Sequence, residues 1–115
     1  MIFSVLHPCT DTPFRQWELD EDGERGALKI DHYFESGPTV CRWRMARLSY
    51  HWDTPCWRLT LSEWSDLTAR AGFLIRRLYE PRPTLEQVER NRRIDDAYRP
   101  PLFLIFELVE RWGDD

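Results

Sequence analysis

Two short stretches bring together residue types capable of nucleophilic or acid–base chemistry. His7 and Cys9 stand two apart around Pro8; on a regular strand they share a face, as a base and its nucleophile would. Pro8 disfavours regular strand pairing there, and no third group is evident to orient the two. A cysteine hydrolase is therefore a poor reading. The second stretch, Tyr50-His51-Trp52-Asp53-Thr54-Pro55-Cys56-Trp57-Arg58, is richer. It packs aromatic, titratable and guanidinium groups into what reads as a loop between a strand and a helix, where binding residues commonly sit. The plain alternative is an aromatic loop that covers the core.

Other charged groupings read as structure. Glu80-Pro81-Arg82-Pro83 offers an ion pair at a strand end. Arg90, Arg92 and Arg93 are interspersed with Glu86, Glu89, Asp95 and Asp96, the pattern of a solvated helix face. The run Glu18-Leu19-Asp20-Glu21-Asp22-Gly23 resembles a calcium loop, but the closing position falls on Lys29 where a bidentate glutamate is required. A solvated loop is expected instead.

The absences exclude whole classes. Glycines stand only at 23, 26, 37, 72 and 113, so there is no G-x-G-x-x-G or Walker loop. A G-x-S-x-G elbow and an H-E-x-x-H helix are missing too. The net charge of −4 supplies no basic field for nucleic acid. Cys9, Cys41 and Cys56 are odd in number and form no C-x-x-C pair, which argues against a disulfide framework and a zinc ribbon. The first apolar run is too short for a signal peptide, and no stretch reaches transmembrane length. A reduced, cytoplasmic protein that binds neither membrane nor nucleic acid is the expectation.

The elements that must position these residues follow from periodicity. At 115 residues the chain fits one domain, 1–115, with 42% hydrophobic residues for a core. Ile2–Leu6 reads as a buried strand that stops at His7-Pro8. Residues 8–26 read as a turn-rich loop. Residues 27–34 and 39–50 alternate at strand period around Gly37-Pro38 and read as one antiparallel hairpin over 27–50.

Thr60-Leu-Ser-Glu63 is a capping box opening a helix whose apolar face carries Leu61, Trp64, Leu67, Thr68 and Ala71. Gly72 ends it, with Phe73 as the contact beyond. Phe73–Tyr79 is a strand, and Thr84-Leu-Glu-Gln87 caps a short helix. Leu102–Val109 is almost continuously apolar, the mark of a strand inside a sheet.

In this order, "TPCWRLTLSEWSDLTARAGF", "LIRRLYEPRPTLEQV" and "PPLFLIFELV" resemble the C-terminal half of a class I, UbiE-like (type 11) methyltransferase that uses S-adenosylmethionine. The resemblance covers nearly the whole chain. It implies an α/β, partial Rossmann-like methyltransferase fold. Residues 1–6, 73–79 and 102–109 then match the family's fifth, sixth and seventh strands, the seventh lying between the other two and antiparallel to them. The hairpin at 27–50 matches the insertion that caps the substrate pocket.

Only substrate-side positions carry over: His7 after the fifth strand, and Tyr50, His51, Trp57 and Arg58 near the acceptor. S-adenosylmethionine is implied by the resemblance alone. The family's glycine-rich loop and its ribose-binding acid precede the fifth strand and have no counterpart here, so no cofactor residue is carried over.

Two functions are expected from this. One is a truncated or split methyltransferase, inactive alone, that joins a complementary N-terminal half chain and takes a small-molecule substrate. The other is a non-enzymatic binding or interaction module that dimerises through its first strand, because an apolar strand edge invites pairing.

Overall fold

The computed structural model describes residues 1–45, 49–91 and 95–111. In chain order the elements are β1 (Ile2–Leu6), β2 (Phe14–Leu19), β3 (Arg25–Asp31), β4 (Gly37–Met45), β5 (Tyr50–Arg58), α1 (Leu61–Arg70), β6 (Phe73–Tyr79), α2 (Leu85–Arg90), α3 (Asp95–Tyr98) and β7 (Phe103–Glu110). Arg92 and Arg93 of the expected basic helix face lie outside the described residues.

The continuous apolar run takes the central position its composition predicts. β7 lies between β1 and β6 and runs antiparallel to both. Leu104, Phe106 and Leu108 are 2%, 0% and 3% exposed and form the core, with Phe3, Val5, Trp64, Phe73 and Ile75 packed around them. Phe3 stacks on Phe106 with ring centroids 4.7 Å apart, and Trp64 of α1 approaches the same ring at 6.1 Å. Offset aromatic contacts of this kind add about 0.5–1.5 kcal/mol beyond area burial.

Helix α1 begins as its capping box requires. The Glu63 N–H donates to the Thr60 hydroxyl and the Glu63 carboxylate accepts from the Thr60 N–H. That backbone bond, aided by hydroxyl donation from Ser36, holds the Glu63 carboxyl below its usual range. Gly72, at φ +89°, takes the left-handed conformation that ends the helix. Thr84 and Gln87 cap α2 in the same reciprocal way.

The apolar face of α1 is only half used, however. Trp64 and Thr68 pack inward while Leu61 and Leu67 stay exposed. Leu67 borders an apolar groove of about 160 Å³ with Met1, Phe3, Trp64 and Phe73.

The other face of the sheet is open. Register places Ile2 and Leu6 of β1, Phe103, Ile105 and Val109 of β7, and Leu74 and Tyr79 of β6 on that side. Ile2 is 68% exposed and Leu74 52%. Among the described residues no helix is recorded packing there, and the outer edge of β1 pairs with no strand.

The chain forms two hairpins where one was expected over 27–50. β3 pairs back with β2, and β4 pairs forward with β5; β3 and β4 do not pair. Alternation identifies strands without naming their partners, and β2 hid inside the polar 8–26 segment. The acidic run is the β2–β3 turn: the Asp20 carboxylate accepts the N–H groups of Asp22 and Glu24, and Gly23 sits at φ +78°.

A second correction concerns the cysteines. Cys41 and Cys56 are disulfide-bonded across β4 and β5, with Cα atoms 6.0 Å apart. The ladder pairs Cys41 with Thr54 and Thr39 with Cys56, so the two cysteines are diagonal neighbours on one face. Only the register reveals this, because the residues stand 15 apart in sequence. Both hairpins project from the small sheet. The radius of gyration is 16.8 Å, against roughly 13–14 Å for a compact domain of this length.

Candidate functional site

β1 and β6 are parallel, so their carboxyl ends lie on the same side, flanking the start of β7. In open α/β sheets ligands bind at that edge. His7 leaves β1 there. Its N–H donates to the Leu102 carbonyl at 2.9 Å, and its carbonyl accepts the N–H groups of Thr10 and Asp11. The tight turn through Pro8 is thus fully bonded, and His7 is only 8% exposed.

The ring is held at both nitrogens. Nδ1 accepts the Cys9 N–H at 3.2 Å, which leaves the proton on Nε2. Nε2 then donates to Glu80 Oε2 at 2.6 Å. Glu80 follows β6 and its side chain is 57% exposed. The buried histidine therefore orients, and the carboxylate beyond it faces outward. Burial, and then the nearby Glu80 charge, push the Cys9 thiol up. A reactive thiolate is disfavoured at ordinary pH, in line with the poor prospects of a Cys-His hydrolase.

The expected Glu80–Arg82 ion pair is not recorded. Glu80 bonds His7, while Arg82 lies 3.9 Å from the centroid of the Tyr98 ring and donates from Nε to the Tyr98 carbonyl. Glu80, Arg82, Tyr98, Arg99 and Pro101 border a depression of about 220 Å³ at this edge.

Arg58, at the end of β5, reaches the same neighbourhood. Its Nε donates to Asp11 at 3.4 Å and its Nη1 to Thr39 at 2.9 Å, with both charged side chains about three-quarters buried. This pair ties the β4–β5 hairpin to the turn after β1. Arg99 does the same for the β2–β3 hairpin. It donates to the carbonyls of Arg25 and Gly26, and its guanidinium lies 4.8 Å from the Trp17 ring centroid.

The five residues expected at the substrate thus separate. His7 and Arg58 converge through Asp11, whose N–H bonds the His7 carbonyl. Tyr50 and His51 begin β5, about 25 Å of strand away from Arg58 at its other end. Trp57 is 62% exposed on the opposite face from Arg58. The reason is that 50–58 is a strand and not a loop.

Pro55 and the polar residues disguised it. Proline is tolerated because β5 is an edge strand of a two-stranded ribbon. Asp11 and Tyr98 carried no sequence signal. Glu80 did, but its partner lies 73 residues away and only the sheet brings it close. Among the described residues there is no cluster of three or more metal-ligating side chains.

A central β7 reversed between two parallel strands, with a helix leading into β6, is the arrangement that the resemblance implies for the family's last three strands. The fold is that of one portion of an S-adenosylmethionine-dependent methyltransferase, as solved structures demonstrate. A protein assigned to that class from Listeria monocytogenes is 25% identical, with a TM-score of 0.69 over 95% of this chain and 46% of its own. An S-adenosylmethionine-dependent methyltransferase from Mesorhizobium loti is also 25% identical, at a TM-score of 0.66 over 93% of this chain and 46% of its own. The chain therefore spans about half the length of the solved structures it matches. No protein-family model matches the sequence, and neither does any curated protein.

Proposed function

We propose that these residues form the acceptor side of a UbiE-like methyl-transfer site whose donor-binding part is supplied by another segment, in the same polypeptide or a second one. The observation that carries this is the pairing of two facts: the chain matches about half of each methyltransferase, and among the described residues nothing covers one apolar face of the sheet or pairs with the edge of β1.

The glycines among the described residues do not suit the donor. Gly23, Gly26, Gly37 and Gly72 lie in a hairpin turn, in β3, at the start of β4 and between α1 and β6. None leads from a strand into a helix, the place where a phosphate- or ribose-binding loop is built. What this chain supplies is positioning: the His7–Glu80 edge and the hairpins tied to it by Arg58 and Arg99 orient a small acceptor.

Calorimetric titration of the 115-residue chain with S-adenosylmethionine is expected to show no saturable heat at micromolar concentrations. Micromolar binding overturns the division of labour proposed here.

A second reading is a module that pairs through Ile2–Leu6, favoured by the open edge of an apolar strand. In that case sedimentation gives a dimer that Ser4→Pro disperses, because Ser4 is the mid-strand residue whose N–H points away from β7 toward the open edge. A monomer at every accessible concentration counts against it.

We place the protein in the cytoplasm, free of membrane and nucleic acid; no helix among the described residues is long and apolar enough to cross a bilayer. There the Cys41–Cys56 pair meets a reducing thiol pool.

A further inference from the structure

We infer that the depression between Glu80 and Arg82 is a subsite for a small anionic molecule that also carries a hydroxyl or amine N–H. Its two poles are unlike and separately prepared. At one, the Glu80 carboxylate is fixed through Oε2 by the neutral His7 ring, and no bond is recorded at Oε1. That oxygen accepts a proton donor from a ligand.

At the other pole, among the described residues Arg82 spends only Nε, on the Tyr98 carbonyl, and its Cζ lies 3.9 Å from the Tyr98 ring centroid. The guanidinium is thereby held over the ring by two contacts with its Nη1/Nη2 fork unspent, the fork that grips a carboxylate or phosphate through two parallel bonds. The neighbouring Arg99 is different: both of its Nη atoms donate to backbone carbonyls. Selectivity for the anion therefore rests on Arg82.

Pro81, Pro100 and Pro101 stiffen the walls. The volume of about 220 Å³ lies below the roughly 300–1,000 Å³ of drug-sized sites, which limits the occupant to a molecule of about one ring. The position at the carboxyl edge makes this the acceptor subsite of the proposed methyl transfer, and in that respect the inference rests on that reading.

Three probes separate the poles in titrations followed by NMR, without methyl donor: 4-hydroxybenzoate, benzoate and phenol. Affinity is expected to fall in that order, with shifts at Glu80, Arg82 and the His7 ring. Arg82→Met is expected to weaken both benzoates by about tenfold or more, the value of one charge-assisted contact. Arg82→Lys, which keeps the charge and loses the fork, recovers part of the loss. Glu80→Gln keeps an oxygen for the His7 N–H and so preserves the turn, but removes the preference for 4-hydroxybenzoate over benzoate.

Thermal melts confirm that each variant is folded. Phenol binding as tightly as benzoate, unchanged affinity in Arg82→Met, or no saturable shift with any probe overturns the inference. Binding that behaves as described, in a complemented protein that transfers no methyl group, overturns the methyltransferase reading alone. Methyl transfer indifferent to Arg82 overturns the subsite alone.

Discussion

Phe106→Ala is expected to cost about 3–5 kcal/mol, the usual range for truncating a buried aromatic, and to leave much of the chain unfolded at room temperature. Phe106 is the one fully buried large side chain among the described residues, stacked on Phe3 and touched by Trp64. Among the described residues the core around it holds two other buried apolar residues, Leu104 and Leu108. Domains have about 5–15 kcal/mol in hand, and this one begins with an uncovered sheet face. Its margin is therefore small.

Phe103, one strand position from Leu104 but on the open face and 42% exposed, provides the control. Phe103→Ala is expected to cost about 1 kcal/mol or less. Urea denaturation followed by tryptophan fluorescence measures both. Equal losses would show that the open face is as well packed as the core, and would remove the case for a missing cover.

Removing the Cys41–Cys56 bridge is the second large effect, but a local one. Closing a loop of 15 residues is worth about 3 kcal/mol on chain-entropy grounds. The β4–β5 ribbon packs mainly on itself, and isolated ribbons are marginal in water. Cys41→Ser with Cys56→Ser, or treatment with a reductant, is therefore expected to speed amide exchange throughout 37–45 and 50–58. β1, β6 and β7 should keep their protection, because local opening need not propagate into the sheet.

Arg58 stands at the last residue of that ribbon and holds Asp11, so the loosening reaches the edge where His7 sits. Exchange rates unaffected by reduction would show that the ladder alone secures the hairpin. A parallel loss of protection in β7 would show that hairpin and sheet unfold as one unit.

The open surfaces and the candidate site are connected. β1 carries both: its outer edge and Ile2 face outward, while its last turn presents His7 to Glu80. A segment that adds to β1 buries apolar area and at the same time arrives beside the carboxyl edge. In the reading proposed here, assembly and completion of the site are a single event.

Much of the body was legible from the chain alone. Thr60 and Glu63, and Thr84 and Gln87, lie three residues apart, so each capping box is a local geometric fact that tertiary contacts do not alter. Gly72 could be read the same way, since a left-handed helix end favours a residue without Cβ. Leu102–Val109 declared its central position by its few polar residues, and β7 does lie between β1 and β6. The cover on both faces that such a run also implies is missing among the described residues, where one face is open.

What the chain alone left open is everything that depends on which strands meet. Period-two patterning is blind to partner and register, so it merged parts of two hairpins into one and read β5 as a loop. The Cys41–Cys56 bridge, the His7–Glu80 bond and the Arg58–Asp11 pair join residues 15, 73 and 47 apart. Tertiary structure decided those because contacts at such separations are set by sheet order and ladder register, while helix caps and buried strands are set by the few residues that compose them.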